Sequence, residues 1–100
     1  MTQATAFLPD VSALKPSAML TGGQIRAARA LLKITTAQLA EAARMSYAAV
    51  QRAEGAEGVP NMQVRNLMAI KATLERSGVV FLDGRYDGDG GPGVRLARTP

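Results

Sequence analysis

Residues 35–55, TTAQLAEAARMSYAAVQRAEG, decide the fold. The stretch predicts two short helices joined by a tight turn, the first over Thr36–Ala43 and the second over Tyr47–Glu54. Thr35 is suited to cap the first helix, because Gln38 follows it at the spacing of a capping box. Ser46 is suited to cap the second helix by accepting a hydrogen bond from a free backbone N–H.

The apolar residues of this unit have helical spacing. Leu39 and Ala43 share one helix face, as do Val50 and Ala53. Ala40 is small where the two helices must pass close together. This arrangement is typical of a helix-turn-helix, a motif whose second helix enters the major groove of DNA.

Residues 29–55, RALLKITTAQLAEAARMSYAAVQRAEG, resemble the phage repressor and Cro-type helix-turn-helix family, also called the XRE family. The resemblance covers residues 24 to about 74. In the family, an Arg late in the first helix often pairs with a Glu at the end of the recognition helix, and Arg29 and Glu54 lie at the matching positions. The family usually has Gly where this chain has Arg44. Since a non-Gly residue in a left-handed conformation costs roughly 1 kcal/mol or more, either the turn is rebuilt or Arg44 is strained.

The resemblance implies a mostly α, lambda-repressor-like helix-turn-helix bundle of about four helices. The first helix is expected over residues 21–33, from the spacing of Ile25, Ala28 and Leu32. The fourth is expected from residue 62 to about 77, with Asn61 as its N-cap and Gly78 after its end.

The C-terminal part predicts a β-hairpin, with strands over residues 79–83 and 93–97. Two strands alone are marginally stable in water, so we expect them to pack on the helices or to pair with a second subunit. Small members of the family often dimerise through such a tail. The candidate dimer-interface residues are Val79, Phe81, Val94 and Leu96. The predicted organisation is an N-terminal extension over 1–20, a DNA-binding helix-turn-helix domain over 21–78 and a dimerisation hairpin over 79–100.

The N-terminal extension is expected to be a flexible arm, because Pro9 and Pro16 interrupt it. The alternative is an arm that packs on a partner protein through its apolar residues, which are Phe7, Leu8, Val11 and Leu14.

Charge and composition narrow the function classes. Twelve Lys and Arg against eight Asp and Glu give a net charge of +4, and residues 21–71 hold seven basic against three acidic side chains. This local excess suits a polyanion, although an ordinary solvated surface has the same composition.

The absence of Cys and His excludes disulfides, the usual transition-metal sites and a Ser-His-Asp triad. No apolar run approaches the roughly 20 residues of a membrane span, and no secretory signal is seen, so a cytoplasmic, nucleoid-associated protein is expected.

Two loop motifs partly resemble those of calcium-binding and phosphate-binding sites. Asp83, Asp87 and Asp89 begin like a calcium loop, but no closing Glu follows, so a hairpin loop is favoured over a metal site. GDGGPG lacks the Gly-Lys-Ser/Thr of a phosphate-binding loop. We expect no enzyme activity, no cofactor and no metal.

These observations predict a sequence-specific transcriptional regulator, a repressor that binds double-stranded DNA as a homodimer at a palindrome-like operator. The family resemblance places Tyr47, Ala48, Gln51 and Arg52 on the exposed side of the second helix, which implies that they contact bases, and Arg52 is suited to pair with guanine. The expected phosphate contacts are Thr36, Arg44, Ser46 and Lys33. The alternative is an antitoxin or adaptor-type interaction module with secondary DNA binding. A non-specific nucleoid-type binder is a third possibility.

Overall fold

A computed structural model describes residues 19–82 and 90–98. Within these residues the chain is mostly helical and ends in a two-stranded antiparallel hairpin, as the sequence predicts. The elements are α1 (Gly22–Leu32), α2 (Thr36–Ala43), α3 (Tyr47–Glu54), α4 (Val64–Arg76), β1 (Val79–Leu82) and β2 (Gly93–Leu96). The predicted flexible arm and the predicted hairpin loop lie outside the described residues, so neither their form nor the alternatives to them are tested. The arm residues concerned are Phe7, Leu8, Val11 and Leu14, and the loop residues are Asp83, Asp87 and Asp89.

Local capping explains where the first three helices start. The predicted capping box of α2 is present, with Gln38 N donating to Thr35 Oγ1 at 3.0 Å and Thr35 N donating to Gln38 Oε1 at 2.8 Å. A second box, between Thr21 and Gln24, starts α1. Ser46 accepts from the backbone N–H of the third residue of α3 at 3.1 Å. Because these signals are local, α2 and α3 have the predicted bounds.

The turns after α1 and α2 each contain a basic residue whose backbone is in the left-handed conformation. Arg44 has φ 59° and ψ 47°, so the turn keeps its left-handed form and Arg44 is strained. Lys33 has φ 58° and ψ 42° at the end of α1, which the sequence did not predict. No other non-Gly residue of the described chain has a positive φ.

The predicted start of α4 was wrong. The helix begins at Val64 rather than at residue 62, and Gln63 takes the N-cap position without a side-chain hydrogen bond. Asn61 does not cap it, because the chain first forms a turn in which Met62 N donates to Pro60 O at 3.1 Å. At the other end Gly78 has φ 106°, which lets the chain turn into β1.

One core joins all six elements. Its largest fully buried side chains are Ile25, Leu39, Leu67, Ile70, Leu74 and Val50. Leu20, which directly precedes the predicted domain, is only 2% exposed and belongs to this core, and Met19 packs against it.

The hairpin packs on its own chain. Val79 pairs with Leu96, and Phe81 pairs with Val94. Val79 is 2% exposed, and Phe81 and Val94 pack against the core. Three of the four residues predicted for the dimer interface therefore face inward, because the hairpin needs the helices to cover its apolar face. Leu96, at 50% exposed, is the one of the four that presents a large surface to solvent.

Candidate nucleic-acid interface

The four predicted base-contact residues lie on one exposed face of α3. Tyr47 and Gln51 are one turn apart on this face, as are Ala48 and Arg52, and all four are exposed. The opposite face, which includes Val50, is buried in the core. Among the described residues, none hydrogen-bonds to the side chains of Tyr47, Gln51 or Arg52, so their polar groups are free to contact a ligand.

Glu54 fixes the far end of α3. Arg29 Nε donates to its Oε2 atom at 2.8 Å, as the sequence predicts, and Thr36 Oγ1 donates to its Oε1 atom at 3.0 Å. The Arg26 guanidinium donates to the Glu54 backbone carbonyl. Two cations therefore lie at the C-terminus of α3, where they favour the helix dipole. The buried Glu54 carboxylate joins α3 to both α1 and α2.

The predicted phosphate contacts divide into backbone and side-chain groups. Because Glu54 uses the Thr36 hydroxyl, Thr36 has only its backbone N–H to offer, as the first residue of α2. The Ser46 hydroxyl accepts from Ala49 N and keeps its own hydrogen available. Lys33 precedes α2 and Arg44 follows it, and both residues are exposed.

The positive excess of this region is largely at the surface. Arg29 and Lys71 form ion pairs, with Glu54 and Glu75. By contrast, Lys33, Arg44 and Arg52 form no ion pair with a described residue and are exposed. Lys33 follows α1, Arg44 follows α2 and Arg52 lies on the exposed face of α3, so these three cations belong to or flank the α2–α3 unit.

Sequence reasoning missed a groove beside α3. It measures about 760 Å³, and its polar lining residues are Arg52, Asn61, Gln63 and Asn66, with alanines, Pro60 and Met62 between them. It is open and its lining is mixed, unlike the enclosed apolar pocket of a small-molecule site. No local pattern predicts it, because the groove exists only where the loop after α3 meets the start of α4.

Two other kinds of site concern metal ions and membranes. Residues 19–82 and 90–98 contain no group of three acidic, His or Cys side chains that could hold a metal ion. None of the described helices is long and apolar enough to cross a lipid bilayer. Searches with this chain against known protein families, curated proteins and solved structures find no match.

Proposed function

We propose that the protein is a sequence-specific transcriptional regulator in which α2 and α3 form a helix-turn-helix and α3 enters the major groove of DNA. The observation that carries this proposal is the face of α3. It has free donors at Gln51 and Arg52, and its helix is held at both ends by Ser46 and Glu54. A rigid helix with unpaired polar side chains suits the reading of base edges. In this proposal the helices form the lambda-repressor-like helix-turn-helix bundle of the XRE family.

Each exposed residue has a role in this proposal. Arg52 donates two hydrogen bonds to guanine O6 and N7. Ala48 and the ring of Tyr47 lie against thymine methyl groups, and Gln51 completes the base-reading face. The phosphate groups are bound by Lys33, Arg44, the Ser46 hydroxyl and the Thr36 backbone N–H.

The proposal includes a homodimer acting as a repressor in the cytoplasm. One recognition helix covers too few base pairs for strong discrimination, whereas two copies related by a two-fold axis bind half-sites about one helical turn apart. Leu96 is the hairpin residue best placed to touch a second copy, since it is half exposed. Sedimentation at micromolar concentration tests this part, and a monomer under those conditions contradicts it.

Arg52→Ala is the direct test of DNA reading. Duplexes are first selected from a random pool by the wild-type protein, and binding is then measured on selected and scrambled duplexes at one salt concentration. We expect a loss of about 1–3 kcal/mol on the selected duplex only, because a base contact is absent from non-specific complexes. Arg65→Ala is the control, since it removes an equal charge from α4, whose Arg65 is also exposed. An equal loss on both duplexes would make Arg52 a phosphate contact, and a failure to select any sequence would refute the proposal.

A second candidate is the antitoxin or adaptor-type interaction module. It is favoured by Val64 and Met68, which lie one turn apart on α4 and are 59% and 39% exposed. Apolar side chains repeated on one outward helix face suit a protein partner. Purification of the chain with one stoichiometric partner, lost in Val64→Lys, would support this function over transcriptional regulation.

A further inference from the structure

The first turns of α1 contain a buried amide that holds both strands of the hairpin. Gln24 is 5% exposed, and its Nε2 atom donates to the backbone carbonyls of Leu82 and Gly93, both at 2.9 Å. Leu82 and Gly93 face each other across the hairpin. Gln24 therefore uses its two amide hydrogens to attach the two strands to α1.

The carbonyl of the same amide fixes the start of α1. Gln24 Oε1 accepts from the backbone N–H of Thr21 at 3.0 Å, and the Gln24 backbone N–H donates to Thr21 Oγ1 at 3.1 Å. Both ends of the amide are thus engaged, which leaves the side chain one orientation.

These turns of α1 also touch the end of α3. A Cβ atom on Gly22 would lie 2.4 Å from the Ala56 carbonyl and 2.6 Å from the Ala53 carbonyl, so the backbones are in direct contact. Gly22 N donates to Gly58 O at 3.0 Å. A shift of α1 towards α3 at this point meets backbone atoms rather than free space, so it presses on the end of α3.

We infer that the first turns of α1 couple the hairpin to α3, with Gln24 as the positioning residue. The hairpin then has a role besides covering the core, because its attachment at Gln24 holds the segment against which α3 ends. The consequence for DNA affinity rests on the proposed function. The coupling itself is a property of the fold and is measured without DNA.

Gln24→Glu isolates the attachment of the hairpin. A Glu carboxylate still accepts from Thr21 N and completes the capping box, but it cannot donate to the carbonyls of Leu82 and Gly93. Gln24→Met removes the same donors without adding charge, although it also removes the acceptor for Thr21 N. An effect shared by the two variants is therefore due to the lost donors. Gln38→Glu is the matched control, since Gln38 holds the same position in the capping box of α2, is exposed and makes no contact with the hairpin.

Amide hydrogen exchange followed by NMR decides the structural part. Gly55 N donates to Gln51 O at 3.1 Å and Ala56 N donates to Ala53 O at 3.3 Å, so these two amides report on the end of α3. We expect both Gln24 variants to lose protection in β1 and β2 and to shift the Gly55 and Ala56 resonances, whereas Gln38→Glu leaves them as in the wild type. Loss of hairpin protection with unchanged Gly55 and Ala56 would overturn the inference.

A second test uses the wild-type protein, so it does not depend on whether a variant folds. In native-state exchange at low denaturant, the hairpin amides and those of Gly55 and Ala56 should open together as one cooperative unit. Opening of the hairpin alone, with the end of α3 still protected, would also overturn the inference.

DNA binding tests the consequence. Both Gln24 variants should lower affinity for the selected duplex by roughly 2- to 30-fold, the range expected for coupling through a packed element. A wild-type protein that selects no duplex refutes the proposed function and leaves the exchange result standing. Wild-type affinity in both variants, with shifted Gly55 and Ala56, refutes the link between the hairpin and DNA binding.

Discussion

The Thr36 hydroxyl lies 3.0 Å from the Oε1 atom of Glu54 and donates its hydrogen to it. Thr36 is the first residue of α2, so its backbone N–H has no partner within the helix. The Thr36 side chain therefore holds α2 to α3, and its backbone N–H is the group that we propose for a phosphate contact. The two roles are separable by substitution.

Thr36→Pro should weaken DNA binding where Thr36→Val does not. Both variants lose the hydroxyl and should lose about 1 kcal/mol of stability. Proline is accepted at the first position of a helix, and Thr35 already has the extended backbone, with ψ 164°, that a following proline requires. Because only Pro lacks the N–H, we expect it to bind selected and scrambled duplexes about 1 kcal/mol more weakly than Val. Equal binding by the two variants would remove the Thr36 backbone from the interface.

Glu54→Ala should lower the free energy of unfolding by about 2–3 kcal/mol, because Arg29 and Thr36 both lose their acceptor. The effect is below that of a fully buried pair, since the Arg29 side chain is 27% exposed. Chemical denaturation of Glu54→Ala, Arg29→Met and the double variant gives the coupling energy.

The exposed pair of Lys71 and Glu75 is the control for that measurement. Its nitrogen and oxygen are also close, at 2.7 Å, but the Glu75 side chain is 43% exposed. Glu75→Ala should therefore change stability by no more than about 0.5 kcal/mol. A similar loss in Glu54→Ala and Glu75→Ala would show that burial of the Glu54 pair has no importance.

Gly22→Ala and Gly23→Ala should change stability in opposite directions. A methyl group on Gly22 meets backbone carbonyls at 2.4 and 2.6 Å, whereas one on Gly23 finds its nearest atom, in the Arg26 side chain, at 3.7 Å. We expect Gly22→Ala to destabilise the protein by about 1–3 kcal/mol through overpacking. Gly23→Ala should stabilise it by about 0.5–1 kcal/mol through reduced backbone entropy. Thermal melts suffice, and two variants that melt alike would contradict the close contact of α1 with α3.

Arg44→Gly should stabilise the fold and weaken DNA binding at once. Glycine relieves the left-handed strain at φ 59°, which is worth about 1 kcal/mol. Loss of a phosphate contact should reduce the salt slope of binding by about 1 on every duplex. Arg44→Ala is the matched variant, because it removes the same charge and keeps the strain. Binding of either variant with the wild-type salt slope would exclude Arg44 from the phosphate contacts.

The sequence predicts those elements whose ends are set by neighbouring residues. α2 and α3 have the expected bounds because Thr35, Gln38 and Ser46 act within three residues of the helix that they start. The start of α4 was misplaced because Asn61 has the right chemistry for a cap, but the turn at Pro60 delays the helix.

The candidate site also has a part that the sequence predicts and a part that it does not. Helical periodicity predicts that Val50 and Ala53 share the buried face of α3. The family resemblance places Tyr47, Ala48, Gln51 and Arg52 on the other side, and all four are exposed. The donors to Glu54 from Thr36 and Arg26, and the groove beside Arg52, depend on where distant segments meet. A single sequence has no local pattern for such contacts. For the same reason, the inward direction of Val79 and Phe81 became clear only from their packing on the helices.

The bond between Gln24 and the Gly93 carbonyl spans 69 residues, which has a consequence for synthesis of the chain. Translation at about 5–20 residues per second separates the two residues by roughly 3 to 14 s. During that interval α1 has left the ribosome ahead of the strand that covers it, and its apolar face is available to chaperones. A nascent chain interrupted before β2 lacks the Gly93 carbonyl that accepts from Gln24, and it leaves uncovered the part of the core that packs against Val94.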